Sequence, residues 1–262
     1  MQVRTPQAIF FDIDGTLVSF KTHSIPASTK SAIHQLQAKG IKVIIATGRS
    51  LCDINNLEDL EFDGFITANG TCCFDSKGEI IAQHLISRES LEKVALYMEE
   101  KSFPCAFMTT KGNFINYVDD NRVQALSKLV DVPVLPVKPV SELIEYEVFQ
   151  LGVFLDLERE AELLNILADC DSNRWHPDFT DINVKNCNKA TGMDCFLKIF
   201  NIEGEHTMAF GDGGNDISML KHAATGIAMG NGTVAVKAVA DYVTDSVDEN
   251  GIMNALKYFN II

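Results

Sequence analysis

The chain has 262 residues, of which 46% are hydrophobic, and its formal net charge is −14. This apolar content is sufficient for the core of one large domain or of two smaller ones. The acidic balance, with no compensating basic patch, argues against a nucleic-acid partner. Because we find neither an apolar run of membrane-spanning length nor a signal peptide, we expect a cytoplasmic protein that does not bind membranes. The seven cysteines, without a C-x-x-C motif, agree with reduced thiols.

The first predicted element is a short strand that ends in two acidic residues. Ala8–Phe11 is wholly apolar, which is typical of a strand buried on both faces of a parallel sheet. Asp12 and Asp14 follow, so an extended backbone directs both carboxylates to one side, and Gly15 permits a sharp turn. Open α/β sheets bind ligands at this end of their strands. An isolated Asp-x-Asp is more often a solvated turn or a helix cap.

The next segments predict alternating helices and strands. A helix that begins near Pro26 and ends at Gly40 precedes a buried strand at 41–46, which together give a β-α-β unit with parallel strands. A short helix after Ser50, a strand at 65–67 and a hairpin at 74–81 follow.

The pattern changes at about residue 84. From there to about residue 186, helical stripes alternate with hairpin-like strands, which predicts an α+β insertion with one open sheet face. After residue 186, predicted helices again alternate with buried strands, as in an α/β core. We therefore predict an α/β, Rossmann-like core with a parallel sheet, formed by residues 1–83 and 187–262, and an inserted α+β domain formed by residues 84–186.

Four stretches that are distant in sequence fall at the ends of predicted elements: Asp12/Asp14, Thr47-Gly48, Lys189 and Gly211–Asp216. Each alone has an ordinary explanation, such as a helix cap for Thr47 or solvation for a surface lysine. The order D-x-D-G-T, T-G, K and G-D-x-x-N-D is much more specific than any one of its parts.

The string F-D-I-D-G-T-L and the three later motifs resemble the haloacid dehalogenase (HAD) superfamily over essentially the whole chain. The insertion between the second and third motifs is similar to the cap of the Cof-type (class IIB) branch, which includes sugar-phosphate phosphatases. One departure is that Ala190, rather than glycine, follows Lys189. The resemblance implies a HAD core with an α+β cap and a phosphatase that forms an aspartyl-phosphate.

The same resemblance implies roles for the core residues. Asp12 would be the nucleophile and Asp14 the general acid and base. Mg²⁺ would be held by the Asp12 carboxylate, the Asp14 backbone carbonyl and Asp212, with Asp216, near Gly213, orienting Lys189 or a water of the metal. The phosphoryl oxygens would be bound by the Thr47 hydroxyl, the amides of Ile13 and Gly48, Lys189 and Asn215.

If the chain binds phosphate as this resemblance implies, its acidic composition also favours a cation at the site. Two unit charges about 4 Å apart interact by about 4 kcal/mol at an effective dielectric of about 20. Aspartates that face a phosphate therefore require positive charge between them.

Further candidate substrate contacts are Asn69, Arg174, His176, Asp178 and Asp181. The turn that contains Asn69 fits the rim of the site and a domain junction equally well. Asp181 alternates with apolar neighbours, so its strand face is either solvated or directed at the ligand. Trp175, between two of the candidates, fits a core position better than a substrate contact.

The leading hypothesis is an Mg²⁺-dependent hydrolase of small phosphorylated metabolites, most readily hexose or pentose phosphates, that works as a monomer or weak oligomer. A phosphotransferase or mutase that uses the same intermediate is the main alternative. A non-catalytic phospholigand sensor is a third, which intact Asp12, Asp14 and Lys189 disfavour because a binding module needs no nucleophile.

Overall fold

The computed structural model describes residues 4–129 and 133–262. The chain divides into two compact units. The core unit is formed by Met1–Ala82 and Asn188–Ile262, and the inserted unit by Gln83–Cys187. No helix in the described ranges is both long enough and apolar enough to cross a membrane.

The strands of the described residues are β1 Ala8–Phe11, β2 Lys42–Ala46, β3 Gly64–Thr67, β4 Cys72–Asp75, β5 Ile80–Gln83, β6 Cys105–Thr109, β7 Gly112–Ile115, β8 Val148–Val153, β9 Cys170–His176, β10 Phe179–Val184, β11 Thr207–Gly211, β12 Thr225–Ala228 and β13 Tyr242–Val243. The α-helices are α1 Ala27–Ala38, α2 Arg88–Glu100, α3 Asn121–Leu129, α4 Val140–Leu143, α5 Leu157–Ile166, α6 Lys189–Phe200, α7 Ile217–His222, α8 Val234–Lys237 and α9 Gly251–Tyr258.

The core unit contains an eight-stranded sheet in the order β13-β12-β11-β1-β2-β3-β4-β5. The pairs from β13 to β3 are parallel, and β4 runs antiparallel to β3. The α/β fold with a parallel sheet is therefore confirmed.

Strand β1 lies in the middle of this sheet and is buried on both faces, as its apolar sequence predicts. Ile9 and Phe11 pack in a cluster with residues of α1 and α9. Ala8 and Phe10 pack in a second cluster with residues of α6 and α7. All four side chains have no exposed surface. Helices on both faces thus hold the carboxyl end of β1 at a fixed place in the sheet.

The inserted unit contains a five-stranded antiparallel sheet in the order β7-β6-β8-β10-β9. Phe107, Leu151 and Ile182, which are neighbours across three strands, pack in one apolar cluster with residues of α2 and α5. Because side chains alternate along a strand, Gln150 and Asp181 point to the opposite face, which also holds a small apolar cluster that includes Ile115 and Phe179.

Some local details differ from the sequence-based expectations. The short helix expected after Ser50 is a single 3-10 turn, Leu51–Asp53. The segment before β8 contains three prolines, at 133, 136 and 139, and the short helix α4 starts directly after Pro139. A proline suits a helix start, because its φ is fixed and its missing N–H is not needed there.

Gly70 is a position where the backbone conformation and a close approach both exclude a side chain. Its φ is +100°, and a Cβ there would lie 2.1 Å from the carbonyl oxygen of Asn188, the N-cap of α6. Gly40 has a φ of +73° but nothing within 4 Å of such a Cβ.

We expect Gly70→Ala to destabilise the protein more than Gly40→Ala does. The left-handed conformation costs a non-glycine residue about 1–2 kcal/mol, and Gly40→Ala should lose only that. Gly70→Ala must also displace the backbone that begins α6. Urea unfolding of both variants measures the difference, and equal losses would contradict the close approach.

Candidate active site

The site is built around the carboxyl end of β1. The Asp12 amide donates to the Phe210 carbonyl at 3.1 Å, so the pairing with β11 continues for one residue beyond the strand. The chain then turns at Gly15, whose φ is +82°. A Cβ on Gly15 would lie 2.3 Å from Oδ2 of Asp212, so glycine is needed for the two acidic loops to approach each other.

Lys189 joins the first and last motifs through a buried ion triad. Its Nζ donates to Oδ1 of Asp12 at 2.7 Å and to Oδ1 of Asp216 at 2.5 Å. The lysine side chain has no exposed surface. Burial lowers the pKa of Lys189, but the two carboxylates outweigh burial and raise it above its usual value. The ammonium group is therefore charged.

Asp216 holds this lysine and its own loop at the same time. Its Oδ2 accepts hydrogen bonds from the amides of Asp212 and Gly213 at 2.9 and 2.8 Å, while Oδ1 accepts from Lys189. Both carboxylate oxygens of Asp216 thus have protein partners. Of the two roles expected for Asp216, orienting Lys189 is the one that this geometry supports.

Asp12, Asp212 and Asp216 form a group in which one carboxylate oxygen from each residue lies within 4.8 Å of the other two. Burial, followed by repulsion from Asp216, raises the pKa of Asp12 to about 7 against the opposing effect of Lys189. Burial and the charge of Asp12 also raise the pKa of Asp212 well above its usual range.

Three carboxylates around one ammonium group leave an excess of negative charge that burial makes costly. Carboxylate oxygens are the ligands that hard divalent cations prefer in proteins. The donor set therefore fits a divalent cation, and the expected acidic cluster is present.

Lys189 is the first residue of α6, a position where the helix dipole disfavours a positive charge. The Asn188 side chain caps the helix by accepting from the amides of Ala190 and Thr191 at 3.0 and 3.2 Å. The Thr191 hydroxyl accepts from the Asn188 amide at 3.0 Å, which completes a capping box. Helix α6 therefore starts regularly, although Ala190 rather than glycine follows Lys189.

The end of β2 brings the second motif into the same unit. Thr47 is buried, and its amide and carbonyl bond the Ile66 carbonyl and the Asn69 amide at 2.8 and 3.0 Å. The Asn69 side chain accepts from Nδ2 of Asn215 at 2.9 Å. Asn69 thus contacts a residue of the last motif, which agrees with a position beside the site.

Arg49 is a residue of the site that the sequence analysis missed. Its Nε and Nη2 donate to the two carboxylate oxygens of Asp14 at 2.8 and 2.6 Å. Burial lowers the pKa of Arg49, but the hydrogen bonds and charge of Asp14 outweigh it and raise the pKa. The signal was visible as an arginine directly after Thr47-Gly48, but only the fold shows that it reaches Asp14.

Asn231 was also missed. Its Nδ2 donates to the Gly15 carbonyl at 2.8 Å and to Oδ2 of Asp212 at 3.2 Å, and its Oδ1 accepts from the Val247 amide at 2.9 Å. One amide side chain thus joins the loops after β1, β11 and β13. An asparagine between two glycines is a common turn sequence, so nothing local distinguished it.

The candidates in the inserted unit differ in their surroundings. Arg174 donates to Oε2 of Glu160 and to the carbonyl oxygens of Leu155, His176 and Pro177, so its guanidinium is used to hold the inserted unit together. Arg174 therefore supports the framework of the inserted unit, and its contact with substrate stays a prediction.

His176 is the last residue of β9, and Asp178 lies in the turn that leads to β10, where its amide donates to Nδ1 of His176 at 3.2 Å. Asp181 is 2% exposed and its Oδ1 accepts from Nε2 of Gln150 at 3.1 Å. The alternative of a solvated strand face is therefore wrong for Asp181. The side chain of Trp175 lies outside the described residues.

Comparisons with known proteins agree with the motifs and the fold. Residues 9–256 match the family model of haloacid dehalogenase-like hydrolases. The Bacillus subtilis protein YkrA is 32% identical, with 97% of this chain and 98% of YkrA covered. The structure of the HAD subclass IIB sugar phosphatase BT4131 is 43% identical with a TM-score of 0.92, covering 98% of this chain and 100% of that one. The structure of BT1666, a HAD phosphatase from Bacteroides thetaiotaomicron, is 37% identical with a TM-score of 0.91, covering 98% and 96%.

The chain therefore belongs to the haloacid dehalogenase-like hydrolase family, and its fold is that of subclass IIB. The resemblance seen in the motifs and the prediction of a hydrolase enzyme are confirmed.

We expect Mg²⁺ to stabilise the folded protein and Asp212→Asn to remove much of this effect. A ligand at about 100 times its dissociation constant adds about 2.7 kcal/mol to the free energy of unfolding. In chelator, Asp212→Asn should be at least as stable as the wild type, because it removes one of three repelling carboxylates. Thermal unfolding with and without Mg²⁺ measures both effects.

The control for this prediction is Asp171→Asn, which changes an exposed carboxylate of β9. It should show the wild-type response to Mg²⁺. An equal Mg²⁺ response in Asp212→Asn and the wild type would contradict the assignment of Asp212 as a ligand.

Proposed function

We propose that the protein is an Mg²⁺-dependent phosphatase of small phosphorylated metabolites, in particular hexose or pentose phosphates. The observation that carries the proposal is the buried triad in which Lys189 bonds both Asp12 and Asp216 beside Asp212. A structural ion pair has no need of a third acidic side chain. A phosphoryl-transfer site needs a nucleophile, a fixed positive charge and ligands for a cation.

In this proposal Asp12 is the nucleophile. One of its carboxylate oxygens attacks phosphorus, the bond from phosphorus to the leaving oxygen breaks, and an aspartyl-phosphate forms on Asp12. Lys189 fixes the carboxylate and places positive charge next to the reacting atoms. Water then hydrolyses the acyl phosphate and regenerates Asp12.

Asp14 moves the protons. It donates one to the leaving alcohol and later accepts one from the attacking water. Because Arg49 binds both oxygens of Asp14, one of these two hydrogen bonds must give way when that oxygen carries the proton. Arg49 thus holds Asp14 in place between the two proton transfers.

Mg²⁺ would be held by Asp12, the Asp14 carbonyl and Asp212, and when bound it supplies positive charge that offsets the charge of the phosphoryl oxygens. The amides of Ile13 and Gly48, the Thr47 hydroxyl, Lys189 and Asn215 would bind those oxygens. Asp216, with Gly213, would keep Lys189 and the loop of Asp212 in position.

Sugar phosphates are supported as substrates by similarity. BT4131, at 43% identity over nearly the whole chain, is a sugar phosphatase. The Bacillus subtilis relative YcsE, at 28% identity, is a phosphatase of a phosphorylated ribitylaminouracil, which also carries a five-carbon polyol. Residues 84–186 would act as the cap that selects the leaving group. The cytoplasmic location and the monomeric or weakly oligomeric state stay predictions.

The test is phosphate release from a panel of sugar phosphates, nucleotides and cofactor phosphates, with Mg²⁺ and with excess chelator. We expect release only with Mg²⁺. Asp12→Asn should abolish turnover, because the amide has nearly the same shape but is a very poor nucleophile. Circular dichroism should show an intact fold in this variant.

Substantial phosphate release by Asp12→Asn would mean that the nucleophile is misassigned. Adding an unphosphorylated acceptor sugar separates hydrolysis from transfer. A new phosphoester in place of free phosphate would favour the phosphotransferase or mutase.

We expect Asp178→Ala to change the ranking of sugar phosphates by kcat/KM while leaving p-nitrophenyl phosphate hydrolysis nearly unchanged. The core residues contact only the phosphoryl group, which all these substrates share, so the inserted unit must discriminate among leaving groups. His176→Ala should behave in the same way. A parallel loss of both activities would instead indicate a general role.

The matched control is Glu158→Ala, an exposed carboxylate on α5, which packs on the apolar face of the same sheet. This variant should leave the ranking unchanged. If Glu158→Ala and Asp178→Ala were indistinguishable from the wild type, sugar specificity would reside elsewhere.

A further inference from the structure

Two cysteines far apart in sequence meet between the sheet and α6 of the core unit. Cys73 lies on β4 and is 1% exposed, and Cys195 lies on α6 and is partly exposed. Both contribute to the apolar cluster on this face of the sheet. The Cys73 thiol donates a hydrogen bond to the Cys195 sulfur, and the Cys195 thiol donates to the Thr191 carbonyl at 3.6 Å. No disulfide joins cysteines in the described part of the chain.

The close packing of α6 on the sheet explains this contact. Gly192 lies one turn before Cys195, and a Cβ there would be 2.3 Å from Cγ2 of Ile66. Ile66 of β3 is paired with Cys73 of β4. Since residues three apart share a helix face, Gly192 lets the helix approach the two strands where Cys195 meets Cys73. A disulfide requires such a close backbone approach.

The two thiols have unequal surroundings. The hydrogen bond from Cys73 lowers the pKa of Cys195 to about 6, with help from Lys198 and against burial and Asp194. The pKa values of Cys52 and Cys105 are raised instead, mainly by burial. The reactive form of cysteine is the thiolate, and sensor cysteines combine thiolate character, access to solvent and a nearby second thiol.

We propose that Cys195 and Cys73 are an oxidisable pair, in which hydrogen peroxide attacks through Cys195 and Cys73 closes an intramolecular disulfide. The Cys195 thiolate attacks one peroxide oxygen, the O–O bond breaks, and a sulfenic acid and hydroxide form. The Cys73 sulfur then attacks the Cys195 sulfur. The S–S bond forms, the S–O bond breaks, and the hydroxyl leaves as water with the Cys73 proton.

The bridge would have a defined place in the fold. It would link β4, before the inserted unit, to α6, after it, and so close a loop that contains the whole inserted unit. Lys189 is the first residue of the helix that would be tethered. This inference does not depend on the proposed function, because its readouts are thiol chemistry and peptide mass.

The first experiment compares the alkylation rates of the reduced full-length protein at pH 7, read peptide by peptide. At a pKa of about 6, about nine-tenths of Cys195 is thiolate. After allowance for its lower intrinsic nucleophilicity, Cys195 should react on the order of fourfold faster than a thiol with a pKa near 9. Cys52, which is exposed, is the internal reference.

The second experiment treats the protein with hydrogen peroxide, in a Cys52→Ser background that prevents cross-links through the exposed thiol. We expect a Cys73–Cys195 linked peptide, a loss of two titratable thiols per chain, and full recovery with dithiothreitol. Cys195→Ser should lose the link. Cys73→Ala should also lose the link. Cys195 should then be oxidised more slowly, because the hydrogen bond from Cys73 is gone, but the sulfenic acid that forms should persist and be trapped by dimedone.

If Cys73→Ala does not fold, the peptide map of the Cys52→Ser protein decides alone. Retention of both thiols after peroxide treatment, or oxidation at other cysteines before Cys195, would overturn the proposal. Alkylation of Cys195 no faster than that of Cys52 would also contradict it.

Discussion

The buried ammonium group of Lys189 is the constraint on which the rest of the core unit depends. A lysine without exposed surface is stable as a cation only if carboxylates lie beside it, and Asp12 and Asp216 fill that role. Removing one partner of a buried pair costs about 3–5 kcal/mol, because the remaining charge is uncompensated. The ends of β1 and β11 and the start of α6 must therefore meet at one point. The capping of α6 by Asn188 and the glycines at 15 and 70 allow them to do so.

The ion triad also gives the acidic residues different roles. Asp216 has both oxygens engaged, one by Lys189 and one by two backbone amides, so it positions its neighbours. Asp12 and Asp212 retain an excess of negative charge that one lysine does not neutralise. This excess negative charge contributes to the raised pKa values of both residues, and it favours the binding of a further cation. Arg49 binds Asp14, and Asn231 binds Asp212. Side chains from other loops therefore support the acidic loops.

The sheet of the inserted unit differs from the core sheet in how its two faces are covered. One face of its sheet is covered with apolar side chains where α2 and α5 pack, and the other face carries polar side chains beside a small apolar cluster that includes Ile115 and Phe179. The polar side chains there pair with one another, as Asp181 does with Gln150, and Gln150 with Asn183 at 2.9 Å. Such a face can vary in its polar groups without loss of the apolar core. Arg174, in contrast, is bound to Glu160 and backbone carbonyls and belongs to the framework.

Local patterns alone determined the α/β core, the inserted α+β segment and the family. These features depend on periodicities and on short motifs, and both are formed by residues that are close together in the sequence. The acidic cluster was predictable for the same reason, since parallel strands bring their carboxyl ends to one edge. Only the tertiary structure decided that Arg49 binds Asp14 and that Asn231 joins three loops. Each of these side chains has partners in segments that are distant in the sequence. Hydrogen bonds between such segments produce no hydrophobic periodicity and no motif with fixed spacing.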